Sequence, residues 1–371
     1  MTSSLPETSH SATAPSPQPA RSAKPLFKDR FRIVRRLGRG GYSTTYLAQD
    51  VSGEFPQPCV IKQLRYKRPT GQLGKKSNPE MAALLRVERN QRRFQKEARI
   101  MARIGRHSQL PCLLDHFVEN GHFYIVQEHV PGLTLQQERQ HHGLQNEGQI
   151  KTFLREMVEI IRHVHRHNLL HLDIKPANII RRCSDQKLVL IDFGAVRSYT
   201  AETPSAETLS DKADANCGTV GFAPAEQLEG QPVPASDLYS LGVTCLYLLT
   251  GCSPLDLATS PRGQNLRWQE SVQVSEHLTH ILSKLLAPEA KHRFQSVDEL
   301  ERSLNLETHY TNLKPCMTRE PLSSPAFKNP AACLLQDYAD ASSSQSGASR
   351  QAASIRRWQQ RRRQFKSFVP K

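Results

Sequence analysis

The sequence has no Cys-x-x-Cys pair and no Cys/His cluster at zinc-ligand spacing; its eight cysteines are scattered. That argues against a structural metal and fits a reducing compartment. Long apolar runs are also missing. The longest, Leu238 to Thr250, is interrupted by Ser240, Gly242 and Thr244, whereas a membrane-spanning helix needs about 20 apolar residues. The opening Met1-Thr2-Ser3-Ser4-Leu5-Pro6 lacks the charged-then-apolar pattern of a secretory signal. A soluble cytoplasmic protein is the expectation. No Gly-x-x-x-x-Gly-Lys-Ser/Thr motif occurs, which argues against a P-loop NTPase. Hydrophobic residues make up only 37% of the 371, so a real core flanked by unstructured tails is expected.

Acidic residues are scarce in two places. From Lys62 to Arg106 there are fourteen Lys or Arg against Glu80, Glu88 and Glu97, and from Arg350 to Lys371 there are eight against none. The net charge is +15, so the rest of the chain carries a small negative balance. A near-neutral body with two basic patches is not the footprint of a dedicated nucleic-acid site. The patches leave room for an acidic partner or a membrane surface. For the basic piece 66–89, a solvated helical extension is the simpler reading and a docking surface the alternative. Residues 1–26 are rich in Ser, Thr, Pro and Ala, and 307–371 contain Ser/Ala runs and Arg clusters; both read as disordered.

What is present centres on His171-Leu172-Asp173-Ile174-Lys175-Pro176-Ala177-Asn178, followed by Asp192-Phe193-Gly194 at the end of the apolar run Leu188–Ile191. A carboxylate, a lysine two residues on, an amide five residues on and a second carboxylate at a strand end are parts for phosphoryl transfer. One carboxylate can take a hydroxyl proton, the amide and the other carboxylate can hold Mg²⁺, and the lysine can neutralise phosphate charge. Either motif alone is equally a solvated turn or a buried strand with a glycine turn. Both, in this order and spacing, point to the chemistry.

Upstream, Phe31–Leu37 predicts a strand running into Gly38-Arg39-Gly40-Gly41-Tyr42-Ser43-Thr44-Thr45-Tyr46, a glycine-rich turn and a second strand. Such a hairpin can lay backbone N–H groups over phosphates. Cys59-Val60-Ile61-Lys62 is an apolar strand ending in a lysine. From Asn78-Pro79, a cap and first-turn pair, apolar residues recur at helical spacing, and Glu97 shares a face with Phe94 and Met101. A glutamate on a core-facing side needs a partner, and Lys62 is the natural one. Phe123–Gly132 predicts a buried strand running into a turn, and Ile150–His167 an amphipathic helix with Ile150, Phe153, Leu154, Met157, Ile161 and Val164 inside. Ser198–Asn216, with Thr200, Thr203, Ser205, Thr208 and Ser210, reads as a mobile loop. Ala235–Val243 opens the most apolar helix, and Ser296-Val297-Asp298-Glu299 is a capping-box pattern for the last one.

This ordered set resembles the eukaryotic-type serine/threonine protein kinases, in particular their bacterial branch and the cyanobacterial members. The likeness covers about Phe31 to Leu306. The resemblance implies an α+β, two-lobed fold: a small β-rich N-lobe with one long helix (27–128) and a larger, mainly helical C-lobe (129–306). It implies ATP and Mg²⁺ as cofactors and protein Ser/Thr hydroxyls, the chain's own included, as substrates. Asp173, Lys175, Lys62 and Glu97 take the catalytic roles. Gly38, Arg39, Gly40, Gly41, Tyr42, Ser43, Thr45, Val60, Lys62, Glu128, Val130 and Ile180 line the nucleotide, and Asn178 and Asp192 hold the metal. Gln127 stands at the gatekeeper position, ahead of a hinge from Glu128 to Val130. Cys217–Gln227 resembles the substrate-docking segment with a Pro-x-Glu turn, and Arg293 is expected to pair with Glu226. Two departures stand at Ser43, where the family has glycine, and Thr45, where it has valine. A third is Leu172, where regulated kinases carry an arginine that meets a phosphate on the mobile loop. Leucine can make no such bond, so basal activity independent of loop phosphorylation is expected; the alternative is that Arg197 or a residue of the basic helix from Arg92 to Arg103 receives the phosphate instead. The alternatives are a kinase-fold binding module without turnover and a small-molecule phosphotransferase; the docking segment disfavours the latter.

Overall fold

The computed structural model describes residues 26–39, 43–64, 79–199, 218–257, 268–310 and 312. The N-terminal lobe is one antiparallel sheet and one long helix. The strands are β1 (Phe31–Arg39), β2 (Ser43–Asp50), β3 (Gln57–Leu64), β4 (Leu113–Glu119) and β5 (His122–Glu128), in the order β1-β2-β3-β5-β4. Between β3 and β4 runs α1 (Pro79–Ile104).

The period of two along a strand sets what β3 does. Cys59 and Ile61 pack with Phe31, Ala48, Phe117, Tyr124 and Val126 on one face of the sheet. Val60 and Lys62 therefore face the other way. Lys62 is held in register between Thr45 of β2 and Ile125 of β5. The outer apolar face is closed by the residues just ahead of β1. Phe27 lies 5.7 Å from the Phe117 ring and 4.7 Å from Tyr124, and Arg30 bridges Asp50 and Asp115.

The helical lobe follows: β6 (Gly132–Thr134), α2 (Leu135–His142), α3 (Glu147–Arg166), β7 (Leu169–Leu170), β8 (Ile179–Arg182), β9 (Leu188–Leu190) and β10 (Arg197–Ser198). Then come α4 (Ala225–Leu228), α5 (Pro234–Thr250), α6 (Pro254–Leu257), α7 (Glu276–Leu285) and α8 (Val297–Asn305). Asn146 caps α3 in a reciprocal box with Gln149, and the helix buries Ile150, Phe153, Leu154, Met157, Ile161 and Val164. Helix α5 is buried almost all round and stops at Gly251, whose φ of +69° suits a residue without Cβ. It is the central post of the lobe. Strands β6, β8 and β9 form a small sheet in the order β6-β8-β9, and β10 pairs with β7.

Three expectations are refined. Ser198 belongs to β10, paired with Leu169, and Tyr199 N–H donates to Asn168 O, so ordered backbone reaches further than the polar composition indicates; residues 200–216 lie outside the described set. Ser296 caps α8 by accepting from Glu299 N–H, but Glu299 turns its carboxylate to the N–H of Gln295, one residue before the cap. Beyond Leu306, Glu307 reaches back to Lys151 and Arg155 of α3. Both tails, 1–25 and 313–371, and the stretch 65–78 lie outside the described residues. Among the described residues no helix is long and apolar enough to cross a membrane.

Candidate active site

Two clusters of side chains carry the expected catalytic residues. The first is built on β3 and α1. Lys62 Nζ donates to Glu97 Oε1 at 2.6 Å and to Asp192 Oδ1 at 2.6 Å. Burial alone would push the Lys62 ammonium down, but the carboxylates of Asp192 and Glu97 outweigh it and hold it above the ordinary lysine value. In return the Lys62 charge holds the Asp192 carboxyl well below the usual range. Asp192 sits at a φ of +69° and its side chain is 42% exposed. Gly194 follows, and its missing side chain matters. A Cβ there would stand 3.1 Å from Lys62 Nζ and 3.3 Å from Asp192 Oδ1.

The second cluster lies on the loop between β7 and β8. Asp173 Oδ1 accepts from Thr219 Oγ1 at 2.7 Å, and Oδ2 accepts from Lys175 Nζ at 2.7 Å and from Asn178 Nδ2 at 2.9 Å. Lys175 also donates to Thr219 Oγ1 at 2.6 Å. The loop and the second carboxylate are tied together by the backbone, since Ile191 N–H donates to Asn178 O at 2.8 Å.

The loop's shape is imposed from below. Asp237, fully buried at the start of α5, accepts from the N–H groups of His171 at 2.9 Å and Leu172 at 2.7 Å. Burial would raise this carboxyl, but the bond from His165 and the charges of His165 and His171 outweigh it and hold it low. Leu172, 1% exposed, is thereby kept at a φ of +63°. That region is costly for a residue with a Cβ, by about 1–3 kcal/mol. Leu172 O accepts from Gln227 Nε2 at 2.6 Å. Gly218, at a φ of +108°, passes so close that a Cβ would lie 2.3 Å from that same Nε2. Nothing in the spacing of the sequence singles out Gln227 or His165 for these tasks, because each acts on a group far away in the chain.

Arg293 donates to both Glu226 oxygens, at 2.6 and 3.2 Å, and to three backbone carbonyls, Ala235, Ala287 and Pro288. The ring of His171 meets Phe193 edge-on, with centroids 5.4 Å apart.

The remaining expected residues fall along the roof and back of the same region. Gly38 and Arg39 end β1, paired with Thr45 and Thr44. Ser43 opens β2 opposite Leu64, and Val60 pairs with Leu47 and Gln127. Glu128 closes β5, its N–H donating to Cys112 O. Val130 is buried, and Ile180 stands in β8 between Thr134 and Val189. Gly40, Gly41, Tyr42 and Cys217 lie outside the described residues.

The chemistry of the donors suits a hard divalent cation. Asn178 spends its amide nitrogen on Asp173, which leaves the amide oxygen as the atom that could meet a cation, and Asp192 is a carboxylate that its lysine partner keeps ionised. One carboxylate and one amide oxygen make an incomplete shell, as expected for Mg²⁺, which usually shares its ligands with substrate phosphates.

A twisted sheet with one long helix, set on a helical lobe, with a paired lysine above and a buttressed aspartate loop below, is the two-lobed protein-kinase fold. The chain belongs to the protein kinase domain family, whose profile matches residues 31–304. It is 37% identical over 297 residues to serine/threonine-protein kinase B of Synechocystis sp., covering 80% of this chain and 50% of that protein. It is 36% identical to serine/threonine-protein kinase PknA of Nostoc sp., covering 76% and 48%, and 36% identical to serine/threonine-protein kinase C of Synechocystis sp., covering 75% and 50%. The chain spans about half the length of these curated relatives.

Proposed function

We propose that this chain is a serine/threonine protein kinase, transferring the γ-phosphoryl group of ATP to hydroxyls of protein substrates, itself included. The observation that carries the reading is the Asp173 carboxylate. Both of its oxygens are fixed, by Thr219 on one side and by Lys175 and Asn178 on the other, in a loop that a buried aspartate holds from beneath.

In this reading Asp173 orients the incoming hydroxyl and accepts its proton. Lys175 neutralises charge on the group in transit, and Thr219 sets the distance between them. Lys62, positioned by Glu97, grips the nucleotide's phosphates under the hairpin of Gly38 to Ser43, with Thr45, Val60, Glu128, Val130 and Ile180 around the base. Asn178 and Asp192 hold Mg²⁺, which when bound supplies charge neutralisation to the phosphates. The protein's contribution is positioning and electrostatics rather than covalent chemistry. The names of the relatives, all serine/threonine kinases, support the hydroxyl as acceptor. The set Lys62, Glu97, Asp173, Asn178 and Asp192 is complete, which disfavours a binding module without turnover.

Incubation with γ-labelled ATP and Mg²⁺, alone and with a generic basic protein, tests this. Acid-stable label on phosphoserine or phosphothreonine is expected. Label confined to a small-molecule acceptor, or none above a Lys62→Met control, would overturn it.

A further inference from the structure

Away from the two clusters, three imidazoles lie in series, each tilted against the next, where the end of α1 meets the end of α3. The His107 and His163 ring centroids are 4.6 Å apart, and those of His163 and His167 are also 4.6 Å apart. Their hydrogen bonds fix which nitrogen carries each proton. Carbonyls only accept, so His163 donates from Nε2 to Ile104 O at 3.1 Å and His167 donates from Nδ1 to His163 O at 2.8 Å. His107 is different. Its Nδ1 receives the backbone N–H of Gln109 at 3.2 Å, so that nitrogen must be bare.

Gln109 in turn holds β9 twice. Its Nε2 donates to Leu188 O at 3.0 Å, and its carbonyl accepts from Leu190 N–H at 3.1 Å. The other edge of β9 is paired with β8. Two residues beyond Leu190 is Asp192.

We propose that His107 is a positioning residue for the transfer reaction: as a bare Nδ1 acceptor it holds the Gln109 turn, that turn clamps the strand delivering Asp192, and protonation of His107 releases the clamp. A proton on Nδ1 would face the Gln109 N–H donor to donor, and a charge on His107 would stand against the His163 ring. Few groups nearby would welcome that charge. On α3, Glu159 faces His107 but is already bonded to Arg162 at 2.7 Å. His163 faces it too, with Arg166 and His167 beyond. From β8, Arg182 reaches Ser108 O at 2.8 Å, and Arg103 and Arg106 precede it in the chain. Burial first, then the neighbouring imidazole, holds His107 below the ordinary value of 6.5. For a group depressed in this way, the folded state resists a proton that the opened state accepts. The clamp is therefore at full strength above about 6.5 and weakens as pH falls below it, by up to tenfold per pH unit for one proton.

The direct readout is amide hydrogen exchange at Leu190 and Gln109 in the full chain, corrected for the intrinsic pH dependence of exchange, from pH 7.5 to 5. Protection in the wild type is expected to fall as pH drops below about 6.5, by at most about tenfold per unit. His107→Asn, whose Oδ1 can accept the same N–H but does not titrate, should keep its protection at pH 5. His107→Ala should lack it at every pH. The second readout, the transfer rate, rests on the functional reading above and should follow the same pH profile through kcat.

Wild-type protection that is flat with pH would overturn the proposal, and so would a His107→Asn profile that falls as the wild type does. A flat wild-type series overturns it even if a variant fails to fold. Protection that behaves as expected with no transfer at any pH would support the clamp and overturn the functional reading instead.

Discussion

At the scale of single residues, the claim is that Lys62 acts only as part of a unit. Its ammonium is bonded at once to Glu97 and Asp192. Lys62→Met and Glu97→Ala should each depress transfer strongly, while the double variant is little worse than the worse single, because residues that act together are not additive. Independent losses in a double-mutant cycle would show that they are not a pair. The same contacts set the pH response of this triad. Asp192 is held low by Lys62, so its share of the pairing is complete above its ordinary value of 3.8 and fades as pH falls below that toward its folded value. Lys62 is held high, so its share is complete below 10.5 and is lost only as pH rises through its still higher folded value. The triad should thus add no pH dependence of its own to nucleotide affinity, measured by fluorescence or calorimetry, between about pH 5 and 9; a pH dependence in that range that Lys62→Met removes would contradict the assignment.

At the scale of elements, α5 is the part on which the rest leans. Its first turn carries Asp237, which holds the catalytic loop backbone, and Ser236, which donates to Glu226 Oε1 at 2.8 Å. Arg293 closes the arrangement, with no exposed side-chain surface. Arg293→Ala would leave the Glu226 carboxylate partly buried without its cation. Such breakage typically costs about 3–5 kcal/mol, which chemical denaturation should register as a lower midpoint with an unchanged slope. A shift within error of zero would mean that the pair is not a structural tie.

Much of this scale was legible in the sequence. The helical period from Met81 to Ala102, the amphipathic helix read over Ile150–His167, the apolar strand that carries Lys62, which runs on to Leu64, and the pairing of Arg293 with Glu226 all follow from spacing or from family likeness. The three short strand pairs of the helical lobe did not. Two- to four-residue strands such as Leu169–Leu170 and Arg197–Ser198 carry no period that could be counted, and only the fold brings them together. The roles of Gln227 and Gln109 went unread for a related reason: each acts by side-chain bonds to distant backbone, which leaves no pattern in its neighbours. The outer face of the N-terminal sheet is a similar case, since Phe27 lies at the edge of a polar tail and its partners Phe117 and Tyr124 are far along the chain.

At the scale of the whole molecule, the question is what would switch on the activity proposed above. Leu172 is buried and holds its place by backbone bonds to Asp237 and Gln227, so no cation stands beside Asp173 at that position to meet a loop phosphate. Replacing Thr200, Thr203, Ser205, Thr208 and Ser210 together with alanine or valine should leave initial rates on an exogenous substrate near those of the wild type. A drop of about 10²-fold or more, the scale of a lost ordering switch, would refute this. The central claim, that this chain moves phosphate by way of Asp173, is tested most directly by Asp173→Asn. Single-turnover transfer from labelled ATP and Mg²⁺ should fall by about 10²–10⁴-fold, since a group that orients and deprotonates the hydroxyl commonly contributes that much. ATP binding by calorimetry should persist, because Lys62, Glu97 and Asp192 are untouched. Transfer within a few-fold of the wild type, with binding intact, would contradict the account.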